Sequence, residues 1–426
     1  TSPAARAPRV RMLLVAILVA CLALAVTTFL LLDRDASVGA AASATPGAGG
    51  ATGADPSPTP SAAPAEARFT IGYAGDVLTH MPVMDDTAGG GGDIEPLIAA
   101  ARPWSEGVDL ALCGMEVPVA PDGVPSGYPM FGSTTAVVDA LSRSGWDGCA
   151  TASNHSWDQG FDGVVATADA LRADSMGYSG TNRTQAEAAA PYQLYELTRG
   201  GMTITVAQLS STYGLNGFSA DPDWAVNLND VAWVDAQARA AREAGADVVV
   251  LHTQLGEEYS PDPVPAQTEF AQAVAQTGQV DVLFGAHPHV PETNELLPGG
   301  PGGRGMWVSY SAGNFISNQS EDLGTILVGI GLFVWVDVVV TQDADGTRST
   351  SVEALHWHPF TVDLNGGHRL VDLAAAQQGR VPEGATLSAE EIGRRWQAVT
   401  DVVNAQTLTD APPAPSGDAP VARPRG

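Results

Sequence analysis

Residues 280–290 read Val-Asp-Val-Leu-Phe-Gly-Ala-His-Pro-His-Val, an apolar run that ends in a His-Pro-His triplet. The run at 280–284 has the length and composition of a buried strand. Ligands of open α/β sheets gather beyond the carboxyl ends of the strands, where His287 and His289 fall. Because a residue before proline favours an extended backbone, we expect the two imidazoles to approach different ions. The stretch therefore predicts a strand of an α/β sheet that ends at a metal site.

Similar apolar runs alternate with helical patterns on both sides of this stretch. The predicted strands are 69–73, 108–112, 148–152, 202–209, 247–251, 280–284 and 306–309. The predicted helices are 93–101, 134–144, 161–175, 230–244 and 265–277. Long antiparallel strands are predicted at 327–340 and 351–359, followed by a helix with a capping box at Ser388-x-x-Glu391. The pattern predicts an α/β fold of layered sheets flanked by helices.

Polar side chains follow five of the predicted strands at once. They are Asp76 with His80, then Glu116, then Asn154 with His155 and Asp158, then His252, and finally His287 with His289. Each taken alone has an ordinary explanation, such as a turn or a surface loop. Carboxylates, an amide and imidazoles at successive strand ends together suit two divalent cations. Glu116 is the natural bridging carboxylate, and Asp158 is placed to accept a ring N–H of His155.

These motifs resemble the capsule-synthesis protein CapA family, which is associated with poly-γ-glutamate capsules and built on the calcineurin-like metallophosphatase fold. The matching stretches are Gly75-Asp76, Glu116, Asn154-His155 with Asp158 and Gly160, His252, Pro265 with Gln267, residues 285–290, and Gly313-Asn314-Phe315. They extend over roughly residues 69–360.

The resemblance implies a binuclear centre of two divalent metal ions, with Mn, Zn, Fe and Mg as the candidates. One ion would be held by Asp76 and His289, Glu116 would bridge, and the other would be held by Asn154, His252 and His287. The resemblance also implies that His155 and Asp158 form a catalytic dyad at the leaving group.

The chain departs from the family pattern at several of these positions. The Asp-x-His motif of the metallophosphatase superfamily is absent, since Asp76 is followed only by His80, and one metal is therefore expected to be weakly held or missing. The bridging residue is Glu116 instead of the more common Asp, and Gly114 stands where the family usually has Asn. Behind His252 the spacing to Gly256 is looser than the family's His-x-Gly.

An uncharged apolar stretch occupies residues 12–32. As a helix it would span roughly 31 Å, which matches the ~30 Å hydrocarbon core of a bilayer. Arg6, Arg9 and Arg11 precede it and place the N-terminus inside. A retained single-span anchor is favoured over a cleaved signal peptide and over a lipoprotein with a lipidated Cys21, because the sequence stays apolar after Cys21. All three alternatives export the remaining chain, so we expect a cell-membrane protein with an extracytoplasmic C-terminal domain.

The composition along the chain, together with the family resemblance for the central domain, predicts six segments. They are a cytoplasmic N-terminus (1–11), a transmembrane anchor (12–32), a disordered Ala/Gly/Pro/Ser linker (33–67), a metallophosphatase-like domain (68–362), a C-terminal extension with a helix (363–408) and a disordered tail (409–426).

Charge and cysteine content exclude other classes of protein. Twenty Lys+Arg against 48 Asp+Glu give a net charge of −28, which argues against a nucleic-acid partner. Three cysteines cannot build a disulfide framework or a four-thiolate zinc site. Cys113 and Cys149 fall on predicted neighbouring strands and could pair in an exported protein. Buried free thiols are favoured, because parallel neighbours rarely offer the required Cβ geometry.

Two functional hypotheses follow. The first is a membrane-anchored extracytoplasmic hydrolase of phosphoester type, with amide chemistry on a poly-γ-glutamate chain left open. Without Arg6, Arg9 and Arg11 the net charge of −28 becomes −31, which disfavours a long polyanionic substrate. The second is a non-catalytic membrane-tethered scaffold that binds proteins of polymer synthesis or export, and the missing Asp-x-His histidine supports it.

Overall fold

Two mixed β-sheets form the framework of the computed structural model, which describes residues 65–404 and 407–425. In chain order the strands are β1 (Ala65–Val77), β2 (Leu110–Met115), β3 (Gly148–Ala150), β4 (Gly177–Ser179), β5 (Gln193–Arg199), β6 (Met202–Thr212), β7 (Val248–Gln254), β8 (Val282–Ala286), β9 (Asn294–Leu297), β10 (Met306–Ser309), β11 (Asn314–Ile316), β12 (Ile330–Gln342), β13 (Arg348–Asp363), β14 (Arg369–Asp372) and β15 (Val421–Ala422). The α-helices are α1 (Met81–Asp85), α2 (Glu95–Ile98), α3 (Arg102–Ser105), α4 (Thr135–Arg143), α5 (Gly160–Ala173), α6 (Gln185–Ala189), α7 (Val231–Glu243), α8 (Pro265–Thr277), α9 (Leu373–Gln377) and α10 (Ala389–Val402).

Each sheet contains a run of parallel strands. The first sheet has the order β14-β13-β12-β1-β2-β3-β4, with β11 paired to β1, and β1 to β4 are parallel. The second has the order β15-β5-β6-β7-β8-β10-β9, in which β6, β7, β8 and β10 are parallel. Parallel neighbours end at the same edge of a sheet, so the carboxyl ends of each run lie side by side.

The two sheets pack against each other through one apolar core. Tyr73 and Leu112 of the first sheet belong to the same buried cluster as Val250 and Phe284 of the second. Every residue of β7 and β8 is buried, as expected for parallel strands covered on both faces. The predicted α/β fold of layered sheets flanked by helices is confirmed.

One predicted helix is shorter than expected. The helix expected at 93–101 is observed as α2 followed by a 3-10 turn at Ala99–Ala101, and α3 begins beyond its predicted end; α2 and α3 each have a proline in the first turn. Proline lacks the N–H that an interior helical position must donate, so Pro96 and Pro103 start new helical turns instead of continuing one helix.

The predicted membrane anchor at 12–32 lies outside the described residues, as does most of the predicted linker. Its last three residues belong to β1, which begins at Ala65. Among the residues that are described, no helix combines the length and the apolarity needed to cross a bilayer.

The prediction of a disordered tail is wrong for residues 409–425. β15 pairs antiparallel with β5, and the guanidinium of Arg425 is buried and donates to the backbone oxygens of Tyr178 and Thr181. Further up the tail, the backbone N–H of Ser416 donates to Asp109 at 2.6 Å. The tail is ordered because the edge of β5 and these buried acceptors supply partners that its own composition does not reveal.

The prediction of free thiols is also wrong, because Cys113 and Cys149 form a disulfide. The two residues are direct partners in the β2–β3 register, with Cα atoms 4.4 Å apart. This spacing is at the short end of the range that disulfides span, and it arises because the two cysteines lie opposite each other without offset.

Candidate metal centre

Six polar side chains converge where the parallel strands of both sheets end. Asp76 lies near the end of β1, Glu116 directly follows β2, and Asn154 lies in the loop after β3. Gln254 is the last residue of β7, and His287 and His289 follow β8. All six side chains are buried.

Asp76, Glu116 and His289 form the tightest group. One potential ligand atom from each lies within 4.8 Å of the others. The Nδ1 atom of His289 is 3.2 Å from Asp76 Oδ2, and its Nε2 atom is 3.7 Å from Glu116 Oε1. Glu258 forms a second such group with His287 and His289, and its exposed carboxylate marks the open side of the site.

Several of the converging atoms lack hydrogen bonds. Within residues 65–404 and 407–425, no partner is present for either carboxylate oxygen of Glu116, Oδ1 of Asn154 or Nδ1 of His287. An unsatisfied buried polar group costs about 1–3 kcal/mol, so a cluster of them is unfavourable unless a bound group satisfies it. Carboxylate oxygens, amide oxygens and imidazole nitrogens carry lone pairs that coordinate divalent cations. The residues therefore fit a divalent metal ion.

The His-Pro-His backbone differs from the extended form expected of it. His287 and His289 have φ angles of 98° and 58°, both in the left-handed region that side chains other than glycine rarely adopt. Such conformations cost about 1–3 kcal/mol each and are concentrated at functional sites. Asn314 holds this turn, since its Nδ2 donates to the backbone oxygen of His289 and its Oδ1 lies 3.1 Å from His289 Nδ1.

The electrostatics of the site favour added positive charge. Burial and the neighbouring charge of Asp76 raise the pKa of Glu116 above its usual range. Burial opposes protonation of His289, but the carboxylates of Glu116 and Asp76 outweigh it and raise its pKa to about 9. Burial lowers the pKa of His287 to about 4, so the ring is neutral at pH 7 and one of its nitrogens has a lone pair for a metal ion. Two facing carboxylates and a neutral imidazole are the electrostatic setting in which a cation binds.

His155 and Asp158 form a hydrogen-bonded pair beside this group. The Nδ1 atom of His155 lies 2.7 Å from Asp158 Oδ2, the contact that their spacing predicts. The backbone N–H of Phe131 donates to the same oxygen at 2.7 Å, and the Phe131 ring meets the His155 ring edge-on. Burial alone would lower the pKa of His155, but the hydrogen bond to Asp158 and the charge of Glu116 raise it. The pair thus favours a protonated imidazole whose Nε2 is free of Asp158.

Sequence reasoning missed a loop after β6 that covers the site. Tyr213 places its ring 4.5 Å from that of His287, and Asn216 reaches the other side of the site. Asn216 accepts from Asn154 Nδ2 at 3.3 Å, which leaves Asn154 Oδ1 as the atom presented to the centre. Asn216 has a φ of 49°, a conformation that Asn tolerates better than most residues. The sequence Tyr-Gly-Leu-Asn-Gly at 213–217 was the available signal.

Two histidines of the sequence pattern do not join the tight group. The ring of His252 packs between Tyr73 and Phe284, at centroid distances of 4.8 and 5.7 Å. Burial lowers its pKa to about 3, and the described part of the chain offers neither ring nitrogen a partner. His80 accepts the N–H of Asn318 on its Nδ1 atom, and its ring contacts Phe131.

The structure also explains the glycine at position 114. A Cβ atom added there would lie 2.7 Å from the hydroxyl of Tyr73 and 3.1 Å from the backbone oxygen of Gly75. A larger side chain therefore has no space unless Tyr73 moves.

Layered mixed sheets with buried carboxylates, amides and imidazoles at the strand ends define an α/β protein with a candidate metal centre. Comparison with known families identifies it further. Residues 70–319 match the family described as "Bacterial capsule synthesis protein PGA_cap", and the chain belongs to this family. The resemblance to the CapA family predicted from the motifs is confirmed.

Two curated relatives carry related names. The chain is 29% identical over 188 residues to the capsule biosynthesis protein CapA of Bacillus anthracis, covering 43% of each protein. It is 27% identical over 169 residues to the PGA biosynthesis protein CapA of Bacillus subtilis, covering 40% of this chain and 42% of that protein. The matched part thus spans less than half the length of either relative.

Solved structures with a similar arrangement include the calcineurin-like phosphoesterase YfkN from Bacillus subtilis. It is 15% identical, with a TM-score of 0.42, and the match covers 79% of this chain and 97% of that one. The NAD nucleotidase of Haemophilus influenzae is 12% identical, with a TM-score of 0.43, and the match covers 81% of this chain and 58% of that one.

Proposed function

We propose that this chain is a membrane-anchored extracytoplasmic hydrolase of phosphoester type that depends on divalent metal and serves the biosynthesis of a poly-γ-glutamate-type capsule polymer. The observation that carries the proposal is the set of buried, unpartnered ligand atoms beside the His155–Asp158 pair. Buried polar groups are normally hydrogen-bonded, so a cluster of unpartnered ligand atoms in one place favours a bound cation. The capsule assignment is supported by the family and by the names of the two CapA relatives.

The residues of the site have distinct roles in this proposal. Asp76, Glu116 and His289 would hold one cation, and Glu116, Asn154 and His287 a second. Bound divalent cations stabilise negative charge on a phosphoryl group and favour attack by water. His155 donates a proton from Nε2 to the leaving oxygen, because its Nδ1 atom is engaged by Asp158. Asp158 fixes the orientation of the ring and favours its protonated form.

Extracytoplasmic placement is supported by two independent features. The apolar stretch at 12–32 has the length of a membrane span and follows three arginines. The Cys113–Cys149 disulfide is typical of proteins that fold in an oxidising compartment. Protease added to intact spheroplasts should therefore degrade the domain that contains residues 68–425. Full protection, while a known external domain is cut, would refute this placement.

The metal-dependent activity is tested by measuring the metal content of the purified chain together with hydrolysis of an aryl phosphate. Glu116→Ala and His287→Ala should each lower bound metal and the metal-dependent rise in Tm, since a ligand that binds only the folded state stabilises it. His356→Ala is the matched control, because His356 pairs with Asp337 on β12, outside the site. Equal metal loss in all three variants would show that the ligand assignment is wrong.

A second candidate is a non-catalytic scaffold that binds proteins of polymer synthesis or export. The observation that favours it is the position of His80 and His252 outside the tight group, which leaves His287 and His289 as the imidazoles of the two candidate ligand groups. Wild-type chain that holds no metal and hydrolyses no aryl phosphate would favour the scaffold.

A further inference from the structure

Gln254 ends β7 with its side-chain amide inside the site. Its Nε2 atom donates to Asp76 Oδ1 at 2.9 Å, and the residue is 5% exposed. A carboxylate can only accept, so the amino group must face Asp76 and the amide oxygen must face elsewhere. That oxygen, Oε1, is buried and has no hydrogen-bond partner in the described chain. Gln254 therefore presents an unsatisfied acceptor in the same way as Glu116 and Asn154.

We propose that Gln254 is a metal ligand through Oε1, in the position that the sequence pattern assigns to His252. This inference rests on the proposed metal centre. In the β7–β8 register Gln254 pairs with Ala286, the residue directly before His287, whereas His252 pairs with Phe284. His252 is thus two residues deeper, about 6.6 Å at 3.3 Å per residue.

Residues 252 and 254 point to the same face of the strand, so depth alone separates them. A cavity of about 10 Å³ between the sheets is lined by both residues, together with Tyr73 and Gly114, and no carboxylate lines it. The ring of His252 packs against Tyr73 and Phe284, whereas the amide of Gln254 reaches Asp76. His252 therefore fills the core beneath the site, and Gln254 reaches the rim.

An amide in this position changes the chemistry of the centre. The donors become four oxygens and two nitrogens, namely those of Asp76, Glu116, Asn154, Gln254, His287 and His289. Oxygen ligands suit Mg²⁺ and Mn²⁺, whereas imidazole suits Zn²⁺. The centre therefore favours a hard divalent cation such as Mn²⁺ more than a site with a third imidazole would.

A role limited to orienting Asp76 makes a different prediction. If Gln254 only donated to Asp76, its replacement would weaken Mn²⁺ and Zn²⁺ to the same extent. A ligand, in contrast, contributes its own preference, so exchanging it for imidazole must change the ratio of the two affinities.

The test is calorimetric titration of the metal-stripped full chain with Mn²⁺ and with Zn²⁺. Gln254→Ala should weaken Mn²⁺ binding by at least about 10–100-fold. Loss of a residue that only supports a ligand already has an effect of this size, and loss of a ligand should have no smaller one. Gln254→His should raise the ratio of Zn²⁺ to Mn²⁺ affinity by about tenfold or more. His252→Phe, which keeps an aromatic ring between Tyr73 and Phe284, should leave both affinities near wild type.

The outcomes separate this inference from the proposed function. Wild-type chain that binds neither ion would overturn the metal centre and the role of Gln254 together. Tight binding by wild type with unchanged affinities in Gln254→Ala would overturn the role of Gln254 alone. Loss of metal in His252→Phe with wild-type binding in Gln254→Ala would restore His252 as the ligand. Thermal unfolding of each metal-free variant shows whether it is folded, and Gln254→His tests the ratio even if Gln254→Ala is unstable.

Discussion

Replacing the two members of the His155–Asp158 pair should affect catalysis to very different extents. In the proposed mechanism His155 supplies the proton to the leaving oxygen, so His155→Ala removes the acid itself. On the His155 ring, Asp158 contacts Nδ1 at 2.7 Å and not the Nε2 atom that would supply the proton. Neither variant removes a proposed metal ligand, so metal content should stay near that of the wild type in both.

The structure sets the expected magnitudes. Loss of a general acid typically lowers kcat by about 10²–10⁴-fold, or about 3–5.5 kcal/mol at 1.36 kcal/mol per tenfold. In Asp158→Asn one amide oxygen can replace Oδ2, which accepts both from His155 and from the Phe131 N–H. Only the charge is then lost, and a charged hydrogen bond exceeds a neutral one by about 1–1.5 kcal/mol. We therefore expect a decrease in kcat of about 5- to 15-fold for Asp158→Asn.

The assay compares alkyl and aryl phosphates with bound metal measured in parallel. An aryl oxide leaves without much protonation, so His155→Ala should lose far less activity on aryl than on alkyl substrates. Equal losses on both would refute the acid role. A variant that also lost its metal would make His155 a ligand. A larger effect of Asp158→Asn than of His155→Ala would contradict the assignment of the two roles.

Three further predictions concern stability, each measured by urea unfolding. Burial raises the pKa of Glu292 from its usual 4.5 to about 8, so the folded state prefers the neutral form and stability falls as pH rises between these values. Between pH 4.5 and 8 this group should lower the free energy of unfolding of the wild type by at most about 5 kcal/mol, and Glu292→Gln should not show that decrease. Identical pH profiles for variant and wild type would contradict this. Replacing Cys113 and Cys149 by Ala should cost about 4 kcal/mol, since the disulfide closes a loop of 36 residues; wild type whose stability is insensitive to reductant would contradict it. Arg425→Ala should cost about 2–3 kcal/mol and expose the tail to protease, because the guanidinium bonds three backbone oxygens and Asn182, and a tail that stays protected would show otherwise.

Local patterns were sufficient to predict the layered α/β architecture. The strand at 306–309 and the helix at 265–277 are observed with the predicted bounds, because apolar periodicity and proline at the helix start are local signals. The errors concern features with distant partners. The tail at 409–425 is ordered by β5, and the Cys113–Cys149 bond depends on the β2–β3 register. The composition of the tail does not reveal its partner, and the cysteine pair was recognised but judged unfavourable from the geometry of parallel neighbours.

Much of the candidate site could be predicted for a geometric reason. Parallel strands end at one edge, so polar residues that follow successive strands are brought together wherever the intervening helices allow it. Asp76, Glu116, His287 and His289 are close for this reason. Asn216 was missed because residues 213–217 include no charged or imidazole group, although Asn216 orients Asn154. Its role comes from a contact between two amides, and amides carry little signal in a sequence.

The proposed exchange of His252 for Gln254 as the ligand has a physical basis in the length of β7. The apolar run predicted a strand ending at residue 251, whereas β7 continues to Gln254 because it pairs with β8 through Ala286. Extending a strand changes which residue stands at its end, but residues two apart keep the same face. An apolar pattern therefore identifies the strand face on which a ligand lies but not its position along the strand. Between two candidates on that face, the residue type with the stronger metal affinity is then assigned as the ligand. Here that choice favoured imidazole, whereas the pairing of β7 with β8 places an amide at the rim.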